Sequence, residues 1–222
     1  MKQQRTLGDI SDGKLYDIDD MVAADAGGCN GCSACCHHVG DLVVLTPYDV
    51  YEMTRCLQQT YDELIDEKIV LREENKIELP YLKMQEVSER CSFLNEANRC
   101  VIHSHRPNIC RLFPLGRVYE QDDFKYFLQI NSCLKPKLDK VKVRQWIGIT
   151  DYEKNKVFIL IWHQLIKALS FRLKFVRDEE ELRKINAYLI DMFYRQPIAE
   201  GEDFYEVFHQ KLPEAKKWLG IL

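Results

Sequence analysis

The sequence predicts an α+β fold, in which a small cysteine-rich strand-and-loop region packs with a helical C-terminal portion. Three observations predict it. Cysteines concentrate between residues 29 and 133 of a 222-residue chain. Residues 68–133 carry short alternating apolar runs, the period of half-buried strands. From about residue 141 the apolar residues recur at spacings of three and four, the period of helices packed on one face.

Residues 1–28 contain "SDGK" and "DAGG" and show no lasting periodicity, so they are expected to form a flexible arm. Residues 29–135 are expected to be the cysteine-bearing domain, and 136–222 the helical region packed on it. Within the middle segment, "DLVVL" reads as a short strand. "TPYDVYEM" reads as a helix start, with Thr46 as N-cap, Pro47 at the first helical position and Asp49 near the positive helix end. Val50, Met53 and Leu57 then share one face. "CSFLNEANRCVIH" reads as two strands joined by "NEAN", and "GRVY" and "FKYFLQI" as two more joined by "EQDD".

Beyond residue 141, "TDYE" has the form of a capping box. Phe158, Trp162, Leu165, Leu169 and Leu173 follow on one helical face. A second helix is expected from about Asp178, with Leu182, Ile185, Leu189 and Met192 inward, and a third over 203–218. The basic run "KPKLDKVKVR" (Lys135–Arg144) reads as a solvated linker or helix face, with docking to an anionic partner the minor alternative.

Composition narrows the function classes. A formal charge of −4 gives no overall electrostatic reason to expect nucleic acid. The greasiest stretch, "VFILIW" at 157–162, falls far short of the roughly 20 residues that span a bilayer, so no membrane partner is expected. Nor do the first residues show the basic start and about 7–15 apolar residues of a secretory signal. A cytoplasmic location is the expectation, and there thiols stay reduced. Nine cysteines in such a compartment point to metal rather than to a disulfide framework.

Their spacing carries the argument. "GGCNGCSACCHH" holds Cys29, Cys32, Cys35 and Cys36, followed by His37 and His38. Cys56 stands apart inside the first helix and reads as a packing residue. Cys91, Cys100, Cys110 and Cys133 complete a set of eight, twice the four thiolates of a closed zinc site or a cubane cluster. Adjacent side chains point in different directions, so Cys35 and Cys36 suit two centres or two parts of one polynuclear centre. The downstream four reach the loop only if the chain folds back, which makes metal ligation and folding one event and the region metal-stapled.

The expected cofactor is an iron–sulfur cluster, of the four-iron type, or Zn2+. Cys-x2-Cys-x2-Cys matches the start of a bacterial ferredoxin run, whereas Cys-x-x-Cys pairs equally suit zinc. His37, His38, His103 and His105 are alternative nitrogen ligands or outer-shell groups. Around Cys110, "HRPNICRLFPLG" places Arg106 and Arg111 where guanidinium N–H groups would offset thiolate charge at a bound cofactor; the alternative is surface arginines around a turn. No catalytic residue set is legible.

"CNGCSACC", "CSFL", "RCVIHSHRPNICRLFP" and the later "SC" together resemble the YkgJ-type CxxCxxCC cysteine-cluster family, described as zinc- or iron-chelating. The resemblance spans residues 29–133 and implies the same eight cysteines as ligands, with Cys56 outside the set. His103 departs from it, since an aromatic residue is usual there. The resemblance also implies candidate activities: an iron–sulfur oxidoreductase, or a relative of the flagellin lysine N-methylases that use S-adenosylmethionine and act on a protein substrate. A non-catalytic zinc-binding structural or adaptor protein is the third reading.

Overall fold

The computed structural model describes the chain except for residues 1–6, 26, 28–31, 38, 40–41, 136 and 222. Helices and short antiparallel strand pairs mix along it, so the α+β expectation holds. After a single helical turn, α1 (Leu7–Ile10), come β1 (Met21–Asp25), α2 (Pro47–Leu57) and α3 (Tyr61–Leu64). Then follow β2 (Ile69–Glu74), β3 (Ile77–Leu82), α4 (Asn108–Leu112), β4 (Leu115–Tyr119), β5 (Phe124–Leu128) and β6 (Asp139–Lys142). Helices α5 (Val143–Ile147), α6 (Tyr152–Leu173), α7 (Glu179–Ile190) and α8 (Phe204–Trp218) close the chain.

The strands form three two-stranded antiparallel sheets, β1 with β6, β2 with β3, and β4 with β5. The β2–β3 hairpin turns on Asn75 and Lys76, both at positive φ (53° and 66°). Two successive left-handed residues match the twist of the flanking strands, the reason such turns close tight hairpins. In β4–β5, Gly116 faces Phe127, and a Cβ there would run into the Phe127 ring, so a larger residue fits only if that ring shifts.

Two predicted strand regions are corrected. "DLVVL" contributes a single bridge, Val44 to Tyr81, rather than a strand. The hairpin expected over 91–102 is a chain of turns with isolated bridges, Met84 to Cys91 and Leu94 to Cys100. Backbone N–H groups there bond irregularly, Cys91 to the Cys36 carbonyl at 2.8 Å and Val101 to the Phe93 carbonyl at 2.9 Å. No ladder can propagate from such pairings. "KPKLDKVKVR" is likewise more than a linker, because β6 and the start of α5 come from it. Within the stretch expected as an arm, Tyr16 exchanges backbone hydrogen bonds with Tyr126 at 2.8 and 2.9 Å, and β1 pairs with β6.

The helical half follows its pattern. Phe158, Trp162, Leu165, Leu169 and Leu173 of α6 are buried, as are Ile185 and Leu189 of α7. Asp178 caps α7 by accepting from the Glu180 N–H. The capping box expected from "TDYE" does not form: Asp151 is the N-cap, without a side-chain bond, and Glu153 instead lies 3.7 Å from Arg144. An aromatic cluster joins α2 to α6 and α8, with Tyr48 stacked on Tyr205 at 5.4 Å and Phe158 edge-on to Phe204 at 5.1 Å. One contiguous apolar core runs from Val22 through Phe93 to Ile221. Asn186 of α7 fastens the β2–β3 hairpin to it, accepting from the Glu78 N–H at 2.9 Å and donating to the Lys76 carbonyl at 3.1 Å.

Candidate metal centre

The thiols are placed by short local structures that bear on one another. Ala34–Cys36 form a 3-10 turn, in which Cys36 donates to the Ser33 carbonyl at 2.8 Å. The same turn offers the Cys36 carbonyl to the N–H of Cys91, which brings the first downstream cysteine to the loop. Cys110 sits in the single turn of α4. That turn is anchored from α2: the Asp49 carboxylate accepts from the Asn108 N–H at 2.7 Å and from its Nδ2 at 3.0 Å. The other carboxylate oxygen accepts from Thr46 N and Oγ1, both at 2.8 Å, in the predicted helix cap. Asp49 is 2% exposed, so these four bonds offset the burial of a carboxylate.

Two neighbouring pockets collect the cysteines. The larger, of about 380 Å³, is lined by Cys32, Cys35, Cys36, Cys91, Cys100 and Cys110. Apolar side chains complete it, among them Phe93, Ile102 and Trp146; His103 and Arg106 line it too, and among the described residues no carboxylate does. The smaller, of about 30 Å³, is lined by Cys32, Cys35 and Cys133, again with Trp146. Cys32 and Cys35 therefore border both, and Cys133 borders the smaller alone. Cys29 and His38 lie outside the described residues.

Electrostatics in the larger pocket reflect crowding and burial. Burial pushes the Cys91 thiol up to about 11, raises Cys100, and raises Cys110 with the neighbouring Cys91 adding to it. Cys35 and Cys36 share a hydrogen bond: accepting it holds Cys35 down to about 7, and donating it pushes Cys36 far up. Several buried thiols beside one another, with Arg106 the one guanidinium among the described lining residues, oppose each other's ionisation, which a bound metal cation would favour.

As they stand, no three Cys, His, Asp or Glu side chains among the described residues converge tightly enough to hold one ion. The donor set nevertheless fits a soft metal in kind, since thiolates are the ligands of zinc and iron–sulfur centres.

The flanking groups sort by their partners. Arg106 lines the larger pocket, donates to His103 Nε2 and keeps its buried Nε without a partner among the described residues. Arg111 instead spends its donors on the carbonyls of Arg106, at 3.0 Å, and Ser104, clamping the loop ahead of α4. His105 Nδ1 pairs with Glu52 at 2.9 Å on α2. His37 forms a backbone bridge with Arg90 and approaches Ser33 Oγ at 3.5 Å. Cys56 lies in α2, lines neither pocket, and is close enough for its charge to raise Cys100 slightly.

Two supporting residues carry no signal in a single sequence. Trp146 of α5 walls both pockets and donates its indole N–H to the carbonyls of Leu112 and Phe113, at 3.3 and 3.2 Å. Arg90 donates to the carbonyls of Leu94 and Asn95, at 3.3 and 2.5 Å, bracing the turns between Cys91 and Cys100. Both act through contacts distant in sequence or through loop shape, which no motif encodes.

Among the described residues no helix is long and apolar enough to cross a membrane. No curated protein and no solved structure matches the chain in comparison. Residues 28–133 match one family model, named CxxCxxCC and described as "Putative zinc- or iron-chelating domain". Over that segment, a little under half of the chain, the sequence is similar to the CxxCxxCC family, and the described cysteines that line the two pockets fall inside it.

Proposed function

We propose that eight cysteines hold metal in two adjoining centres, one built by Cys36, Cys91, Cys100 and Cys110, the other by Cys29, Cys32, Cys35 and Cys133. The observation that carries this reading is the division of the thiols between two pockets, with Cys133 on the smaller and Cys36, Cys91, Cys100 and Cys110 on the larger. The adjacent pair Cys35–Cys36 then straddles the boundary, each residue serving its own side. Four thiolates per centre leave no open position on a tetrahedral ion, whereas a four-iron cluster uses the same four ligands and moves electrons.

The larger pocket has room for a polynuclear cluster, and an iron–sulfur centre there, with Arg106 offsetting its charge, is the first reading. A redox role follows from it. Zinc at both positions, with a structural role, is the second reading, favoured by a smaller pocket of single-ion size. Residues 29–135 act as the chelating domain in either case, and the helices of 136–222 as its support.

Anaerobic purification with elemental analysis and a visible spectrum tests both. A brown protein with inorganic sulfide supports the cluster and removes the zinc reading. A colourless protein with about two zinc atoms and no iron does the reverse. Cys110→Ser and Cys133→Ser should each lose the metal of one centre. Loss of all metal from both variants would overturn the partition into two centres.

A further inference from the structure

A third pocket, of about 240 Å³, lies between α2, α8 and the chain joining α7 to α8, and shares no wall residue with either cysteine pocket. We infer that it is a binding site for a small organic anion with a flat apolar body, such as an aromatic carboxylate. Three features carry this. Its walls are aromatic, with Tyr51, Phe193, Phe204 and Phe208 among them. Arg55, Arg195 and Lys211 also line it, and among the described residues no Asp or Glu does. Finally, its size falls below the ~300–1,000 Å³ usual for drug-sized ligands, which suits a compact one.

The cations differ in how far they are committed. Arg195 is engaged by Asp62 at 2.9 Å and Asp191 at 3.5 Å. Arg55 donates to the Tyr51 hydroxyl at 2.5 Å and lies over that ring. Lys211 donates to the Met192 carbonyl at 2.9 Å, which leaves two of its three N–H groups for a ligand. Among the described residues neither Arg55 nor Lys211 forms an ion pair with a carboxylate; Glu52 and Glu200 act on Arg55, and Asp191 and Glu202 on Lys211, only at longer range. Burial holds the Lys211 ammonium below its ordinary value, a cost that a bound anion would offset.

The local backbone is also unusual. Residues Asp191–Arg195 form a π-helical turn, a rare geometry often found at functional sites, and Lys211 is tied to its Met192 carbonyl. Tyr61, another wall residue, keeps a buried hydroxyl with no hydrogen-bond partner among the described residues. A neutral apolar ligand would leave Arg55 and Lys211 without a carboxylate partner. A bare inorganic anion would leave the aromatic walls in water.

Calorimetric titration of the full metal-loaded chain with 2-naphthoate and, in parallel, with uncharged 2-naphthamide tests the inference. The carboxylate should bind at least tenfold more tightly than the amide. Lys211→Met and Arg55→Met should each weaken naphthoate about ten- to hundredfold, the loss of one charge-assisted hydrogen bond. Exposed Lys184→Met serves as the control, with the melting temperature checking that each variant is folded. A drop in either pocket variant, with the control unchanged, supports the site. It is overturned by absence of naphthoate binding, by equal affinity for the amide, or by unchanged naphthoate affinity in both pocket variants.

Discussion

The segment around Cys91–Cys110 and the helical layer of α6, α7 and α8 are held by different physics. In the helical layer, Phe158, Leu165, Leu169 and Leu189 are almost fully buried, and their packing is the main source of stability. Between Cys91 and Cys110 the backbone is turns and isolated bridges, braced by side chains that reach carbonyls, as Arg90 and Arg111 do. Phe93 and Ile102 anchor this region in the core, but with few ladder bonds its thiol-bearing turns depend, on the proposed reading, on metal as well. The contrast teaches that the two halves should fail separately, one through loss of apolar burial and the other through loss of metal.

The largest effect is expected from chelation. Binding free energy at closed thiolate sites is folding free energy, about 10–16 kcal/mol for structural zinc. Under a strong chelator, hydrogen exchange should accelerate across 84–113 while the amides of α6 stay protected. Equal loss of protection in both regions would break the comparison. Next in size is Phe158→Ala, which should cost about 3–5 kcal/mol in denaturant melts yet leave metal per folded chain unchanged.

Asp49→Ala bridges the two regions, because one carboxylate holds the α2 cap and the α4 turn that carries Cys110. It should cost about 2–3 kcal/mol, from N–H groups of Thr46 and Asn108 left unpaired. It should also weaken retention of metal against a graded chelator series. Retention equal to the unaltered protein would mean that α4 is positioned without it. Cys56→Ser is the smallest change, within about 1 kcal/mol, with metal content unaltered on elemental analysis.

Much of the helical half was legible because its rules are local. Thr46, Pro47 and Asp49 announce α2 within four residues, and the spacing from Phe158 to Leu173 marks the buried face of α6. Where a local rule competed with a tertiary partner, the partner won: Glu153 lies beside Arg144 rather than closing a box at Thr150. The pairing of β1 with β6 joins Met21 to Lys142, a separation over which sequence pattern says nothing about partners. The cysteine spacing pointed to a ligand set of eight. The division of thiols between two pockets needed the fold, since it depends on where α4 and α5 carry Cys110 and Trp146.

Trp146 has a use as an optical reporter. The chain holds three tryptophans, and among them Trp146 is the one that walls the cysteine pockets. Trp162 packs in the aromatic cluster at 5.3 Å from Phe193, and Trp218 stacks on Tyr188 at 3.9 Å. A change in indole emission on metal loading that disappears in Trp146→Phe would give a label-free titration of the centre, without a chromophoric metal.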